Sequence, residues 1–262
     1  MNPLFSDLTV LTYHKITRQR EFGINTVTPD QFRRQMQYLY EHGYNPVTFR
    51  DLHKNHLPSQ PLIITFDDGY VSVYENALPV LSKFGFPAVV FLISNYLGQE
   101  NTWDANLGGV KFRHLNEKQV KQLSKEGIEI GSHGASHRAL TYLEDREIES
   151  ELKLSRDSMS RLSNQQVITL AYPFGLQNNR VQQIAKRSGY HFGCINLWGN
   201  SIPDNPMSIK RLPVYRTDSL KAFQRKLRTG PSKKRELMKL KLLSWSALLT
   251  PVYQKYIKKL YK

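Results

Sequence analysis

The stretch Phe84-Gly85-Phe86-Pro87-Ala88-Val89-Val90-Phe91-Leu92-Ile93 decides the fold class. A glycine that stops a helix is followed by an apolar run too short for a helix and rich in β-branched residues. Upstream, Ser72–Phe84 reads as the helix that Gly85 closes, since the residue after a helix often needs a positive φ. The same unit recurs along the chain. Helices are expected from the capping pattern Thr28-Pro29-Asp30-Gln31 to a stop at Gly43, from Asn116 to Gly127, over Glu144–Leu162 and over Asn179–Ser188. Strands are expected at Leu8–Tyr13, Pro46–Phe49, Leu62–Phe66, Ala88–Ile93, Ile128–Ile130, Val167–Ala171 and His191–Ile195. Continuous apolar strands alternating with helices imply an α/β fold of parallel strands buried on both faces. At 262 residues, a distorted or incomplete (β/α) barrel is favoured over an open sheet.

A content of 40% hydrophobic residues supports a full core, and Cys194, the only cysteine, excludes an intrachain disulfide and a thiolate metal cluster. The net charge of +15 is uneven. Residues 218–262 hold 13 Lys or Arg against 2 Asp or Glu, leaving 24 basic and 20 acidic residues for the body. The charge thus marks a basic extension and gives no sign of specific nucleic-acid binding. Two segments are expected: a barrel domain over 1–217 and a basic helical extension over 218–262. In the extension, Leu237, Leu240, Leu242, Leu243, Trp245, Leu248 and Leu249 alternate with basic residues. That pattern suits a helix packed on the barrel, or peripheral contact with an anionic membrane. Residues 1–8 lack a signal-peptide pattern, so a cytoplasmic location is expected, with peripheral attachment at the inner face of the membrane as the variant that the basic extension would allow.

Three strand ends carry chemistry. Ile64-Thr65-Phe66-Asp67-Asp68-Gly69 places two carboxylates side by side, a repulsion that a bound cation offsets, although Asp-Asp-Gly is also an ordinary turn. Gly131-Ser132-His133-Gly134-Ala135-Ser136-His137 places two histidines at i and i+4, read as one side of a helical turn. With Asp68 they supply two imidazoles and a carboxylate, the ligand count of a catalytic zinc site. Ala171-Tyr172-Pro173-Phe174-Gly175 follows a third strand. In a parallel barrel these strand ends share one face, where active sites are assembled.

These motifs resemble the NodB-type polysaccharide deacetylases, carbohydrate esterase family four, in order and at plausible spacing from about Leu8 to Tyr215. Tyr13-His14-Lys15 and Arg211-Leu212-Pro213 resemble features of one subgroup. The resemblance implies a NodB-like barrel with fewer than eight regular units. It implies a metal-dependent hydrolase, acting on carbon–nitrogen bonds, that removes N-acetyl groups from a sugar in a polysaccharide or glycan precursor. Asp68, His133 and His137 would bind one divalent transition metal, Zn2+ by preference, and Asp67 would be the general base. The backbone N–H of Phe174 would donate to the oxyanion, and Tyr172 and Pro173 would contact the substrate. Apart from the resemblance, Trp103 and Asp104 read as lining a sugar-binding cleft, because aromatic faces suit sugar rings, or equally as ordinary loop packing. The chain departs from the family pattern in three places. Gly134 replaces a hydroxyl residue, Ala171 stands where an arginine is usual, and no Leu-x-His motif is present. Arg211 is therefore assigned to orient Asp67, and His14 is the candidate general acid, with a structural role as its alternative. His42, His53, His56 and His114 read as solvated, and His191 as a strand residue. Two other functions fit the same residues: an amidase of the same fold acting on a non-sugar amide, and a non-catalytic carbohydrate-binding relative.

Overall fold

The structure, a computed structural model, describes residues 8–21, 23–54, 57–103, 109–197, 199–228, 236–238 and 240. Six parallel strands follow one another around the sheet in chain order: β1 (Thr9–Tyr13), β2 (Pro61–Phe66), β3 (Val89–Leu92), β4 (Glu129–Ser132), β5 (Thr169–Ala171) and β6 (Phe192–Ile195). The register of β1 on β2 runs from Thr9 opposite Leu62 to Tyr13 opposite Phe66. The two remaining edges are joined by one short stretch. In it β7 (Ile209–Lys210) pairs with β6, and β8 (Leu212–Pro213) pairs with β1. Only Arg211 separates the two, so the chain switches from one edge of the sheet to the other across a single residue. The result is a nearly closed barrel that leaves little unpaired edge.

The strands β1 to β6 are buried on both faces, which is why they read as largely apolar runs. Val10, Ile63, Val89, Phe91, Ala171, Phe192, Cys194 and Ile209 fill one cluster inside the barrel. Leu11, Ile64, Phe66, Val90, Ile130 and Leu170 belong to a larger cluster shared with the outer helices. Those helices are α1 (Pro29–Glu41), α2 (Phe49–His53), α3 (Leu78–Phe84), α4 (Glu117–Lys125), α5 (Asp145–Ser163), α6 (Asn179–Arg187) and α7 (Leu220–Leu227). The capping residues act as read from the sequence. The Thr28 side chain accepts from Gln31 N–H with Pro29 in the first turn, Asn116 and Gln119 form a capping box, and Gly85 ends α3 at φ +66°.

Two expected elements differ. Pro46–Phe49 is not a strand: only Asn45–Pro46 pairs with β2, and Thr48 then caps α2 through a box with Asp51. Phe49 instead reaches into the barrel, its ring 5.5 Å from Phe192 and 6.4 Å from Phe91, and plugs the end where the strands begin. The helix expected over Ser72–Phe84 opens with a π-helical stretch, Val73–Ala77, before α3.

Residues just past 217 pack on the barrel. Phe223 of α7 is fully buried, edge-on to Tyr38 at 6.4 Å. Lys226 is also fully buried, pairing with Asp218 and donating to the Pro213 carbonyl at 2.6 Å. Of the expected basic extension, Glu236 and Leu240 are buried as well. Trp245, Leu242, Leu243, Leu248 and Leu249, on which the membrane reading leans, lie outside the described residues. No helix among the described residues is long and apolar enough to cross a membrane.

Candidate metal centre and catalytic site

The strand ends of β2 and β4 build the site. Past Phe66, the Asp67 N–H still bonds the Tyr13 carbonyl at 2.9 Å, and the chain then reverses through Asp68 and Gly69, both at φ +67°. Gly69 is required twice over. Its φ is left-handed, and a Cβ there would lie 2.4 Å from Leu92 Cδ2. Both carboxylates end up buried.

Past β4, the His133 N–H bonds the Leu92 carbonyl at 2.8 Å. The expected helical turn between His133 and His137 is absent. The loop curls through Gly134 at φ +79° and His137 at φ +57°. It is capped by Glu151 of α5, which accepts from the N–H groups of Ala135 and Ser136 and from the Ser136 hydroxyl. Gly134, the departure from the family pattern, is thus the residue type that this loop conformation favours.

The loop brings the two imidazoles together with Asp68. His133 Nε2 and His137 Nε2 are 3.2 Å apart, and Asp68 Oδ1 lies 3.5 and 3.6 Å from them. A tetrahedral cation with bonds of about 2.0–2.1 Å has ligand–ligand edges of about 3.3–3.4 Å. These donor atoms therefore fit one such ion. His133 Nδ1 lies 2.7 Å from the Ala171 carbonyl, which can only accept. Nδ1 must carry the proton, leaving Nε2 as a lone pair turned toward the shared point. Burial pushes the pKa of His133 down, outweighing Asp67 and the Ala171 carbonyl, and pushes that of His137 well down, with His133 and His114 adding to it. Both are neutral at physiological pH, the ligating form.

Asp67 faces Arg211. The guanidinium donates Nη1 to Oδ1 at 2.6 Å and Nη2 to Oδ2 at 2.7 Å, with both side chains almost fully enclosed. Burial would raise the Asp67 pKa, but Arg211, His133 and His14 together hold it at about 2. Arg211 is supplied from the seam between β7 and β8. His14, just past β1, is half-buried. Burial lowers its pKa to about 4 despite the pull of Asp67, and Lys15, Arg211 and His133 act in the same direction.

The third segment contributes differently from expectation. Phe174 sits at φ +60°, its ring 4.6 Å from that of His137 and its carbonyl held by the Asn196 side chain at 2.7 Å. Tyr172, expected to contact substrate, is fully buried in the outer core, because alternation after the inward Ala171 turns it toward the helices. Pro173 is buried beside the Gly134 loop. Trp103 is 4% exposed, its ring 3.8 Å from that of His137, so it backs a ligand and offers no open face to a sugar. Asp104 lies outside the described residues.

The other histidines also divide. His114, read from sequence as solvated, is 2% exposed, with Nδ1 2.7 Å from the Asp68 carbonyl and Nε2 3.2 Å from Trp103 Nε1. Burial lowers its pKa to about 4. His42 and His53 are exposed, as expected, and His56 lies outside the described residues. His191 precedes β6, exposed, with its ring 4.8 Å from that of His53. Cys194 is a buried core residue, its thiol pushed by burial up to about 12.

Comparison with known proteins agrees with this geometry. The family model described as polysaccharide deacetylase matches residues 54–193. The chain belongs to the polysaccharide deacetylase family, which places it among hydrolases of carbon–nitrogen bonds. It is 30% identical over 205 residues to YxkH of Bacillus subtilis, named for the same family, covering 76% of this chain and 68% of that protein. It is 27% identical over 209 residues to the poly-β-1,6-N-acetyl-D-glucosamine N-deacetylase of Staphylococcus epidermidis, covering 70% of each. Among solved structures, the Streptococcus pyogenes deacetylase PplD in complex with acetate superposes with a TM-score of 0.72 at 25% identity, over 85% of this chain and 98% of that one. The matched region contains Asp67, Asp68, His133, His137 and Phe174, whereas His14 and Arg211 fall outside it.

Proposed function

We propose that this chain is a metal-dependent N-deacetylase of N-acetylated sugars, in a polysaccharide or in a glycan precursor. The observation that carries the reading is the convergence of Asp68, His133 and His137, their ligand atoms within 4.8 Å of one another, beside a carboxylate that Arg211 holds ionised. Asp68, His133 and His137 would hold one divalent cation, and two imidazoles with one carboxylate suit Zn2+. When bound, the cation supplies Lewis acidity, which acidifies water and polarises an acetyl carbonyl. Asp67 takes a proton from the attacking water, its two oxygens kept in place by the forked Arg211. The Phe174 backbone N–H would donate to the developing oxyanion. His14 delivers a proton to the departing amine. Neutral at rest, it must first receive that proton. The proton that Asp67 takes from water is the one that His14 receives and passes to the amine.

The name of the staphylococcal relative makes β-1,6-linked N-acetylglucosamine oligomers the first substrate to try. The test is acetate release by Zn2+-loaded chain, by chelator-treated chain, and by Asp67→Asn and His133→Ala. Release should stop in both variants and on chelation. Asp67→Asn should keep bound metal, whereas His133→Ala should lose it. A wild-type chain that binds no divalent metal, or that releases acetate equally well after chelation, would refute the reading.

A further inference from the structure

Two residues outside the Asp-His-His set are tied to it by hydrogen bonds whose directions chemistry dictates. His114 lies under the metal-ligand turn, stacked on Tyr70 with ring centroids 5.0 Å apart and planes 19° apart. Its Nδ1 is 2.7 Å from the Asp68 carbonyl. That oxygen can only accept, so Nδ1 carries the proton. Nε2 is then a lone pair, and it faces the Trp103 indole nitrogen at 3.2 Å, a group that can only donate. Both neighbours demand the same neutral tautomer. The result is a two-step chain of donation from the Trp103 indole to the His114 imidazole and on to the Asp68 carbonyl.

The same indole also lies 3.8 Å from the His137 ring, centroid to centroid. One side chain thus touches one ligand directly and reaches the backbone of another through a single intermediary. The surrounding backbone reinforces the link. The Leu115 N–H bonds the Gly69 carbonyl at 2.8 Å and the Val71 N–H bonds the Arg113 carbonyl at 2.9 Å, so His114 is stitched antiparallel to the turn it serves. Asp68 and His137, the two ligands involved, are both non-glycine residues at positive φ. Such conformations persist only where the surroundings hold them.

We propose that Trp103 and His114 are positioning residues of the metal centre: His114 pins the Asp68 peptide, and Trp103 buttresses the His137 ring while fixing the His114 tautomer. His114 is not itself a ligand, because both of its ring nitrogens are engaged. The inference rests on the metal-dependent reading above and deepens it, adding a second layer built from a loop that carries none of the three ligands.

The test uses the full chain and Co2+, whose visible absorption reports coordination geometry, with Zn2+ affinity measured by chelator competition. Variants come in pairs. His114→Ala removes the donor to Asp68 and His114→Asn supplies an N–H in its place; Trp103→Leu removes the indole and Trp103→Phe keeps an aromatic ring against His137. Circular dichroism and urea unfolding of the metal-free proteins separate misfolding from ligand misplacement. His114→Ala and Trp103→Leu should bind Co2+ and Zn2+ about 10–100-fold more weakly with an altered Co2+ spectrum. His114→Asn and Trp103→Phe should recover much of that loss. Wild-type affinity and spectrum in all four variants would overturn the inference while leaving the metal centre standing, as would a His114→Asn no better than His114→Ala. Failure of the unaltered chain to bind Co2+ would instead overturn the metal reading, and this inference with it.

Discussion

Replacing Arg211 by methionine removes a charge and two hydrogen bonds from Asp67 while keeping a long side chain in the seam of the barrel. Asp67 is held at about 2 against an ordinary 3.8, a depression worth about 2 kcal/mol of stability at neutral pH. That contribution is complete above the unfolded value and is lost as the pH falls through the folded one. Without the guanidinium, burial dominates and pushes the carboxyl up. Charge centres about 4 Å apart interact by about 4 kcal/mol at an effective dielectric constant of about 20, which is about three pH units. Asp67 would then titrate above its ordinary range, and its contribution changes sign: it stabilises in acid and is lost as the pH rises through that raised value. The stability difference between wild type and Arg211→Met should therefore grow by a few kcal/mol, on the order of 3, between pH 3 and pH 7. Urea unfolding of the chelator-treated proteins across that range measures it, and the acid limb of the deacetylation profile should move upward in parallel. A difference that stays constant with pH would show that Arg211 does not act on the Asp67 carboxylate, and the reasoning would fail.

Three further outcomes follow from packing and proton transfer. Gly69→Ala forces a Cβ to within 2.4 Å of Leu92 Cδ2 at a φ of +67°. It should cost about 1–3 kcal/mol in urea unfolding and weaken Zn2+ binding, and a wild-type midpoint with intact affinity would contradict the strain argument. Lys226→Met leaves Asp218 buried without its cation and should cost about 3–5 kcal/mol, part of it recovered when Asp218→Asn is added; thermal unfolding without such recovery would dismiss the ion pair as the cause. His14→Gln should slow release from N-acetyl amides far more than from an activated acetate ester, whose leaving group needs no proton. Equal slowing of both would remove His14 as the acid.

The sequence made the helix starts and the ligand set legible for the same reason: each depends on residues close in the chain. Thr28 with Gln31, Asn116 with Gln119, and Asp68 with its preceding strand are local patterns with local physics. The partnership of Arg211 with Asp67 spans 144 residues and was reachable only by asking what could stand in for the arginine missing at Ala171. Nothing local marks His114, because its partners are a backbone carbonyl 46 residues away and an indole across a loop. The histidine pair was recognised on a helical premise, yet the rings meet through two left-handed residues. Spacing therefore found the residues that meet, Asp68, His133 and His137, without giving their geometry. Tyr172 and Pro173 are buried for a common reason, since a residue beside a site can as readily support it from behind as face the substrate, and of the two readings of Trp103 the structure favours packing.

The seam at Arg211 has a consequence for how the protein comes into being. Synthesis proceeds from the amino-terminal side, so Asp67, Asp68, His133 and His137 all emerge before Arg211 does. Until the stretch Ile209–Pro213 is made and laid between β6 and β1, the carboxylate of Asp67 lacks the forked guanidinium of Arg211. On the proposed reading, the same short stretch that finishes the barrel would also orient the base. A nascent chain, or one truncated short of this seam, would hold Asp68, His133 and His137 without the guanidinium that fixes Asp67, and competence would arrive with closure.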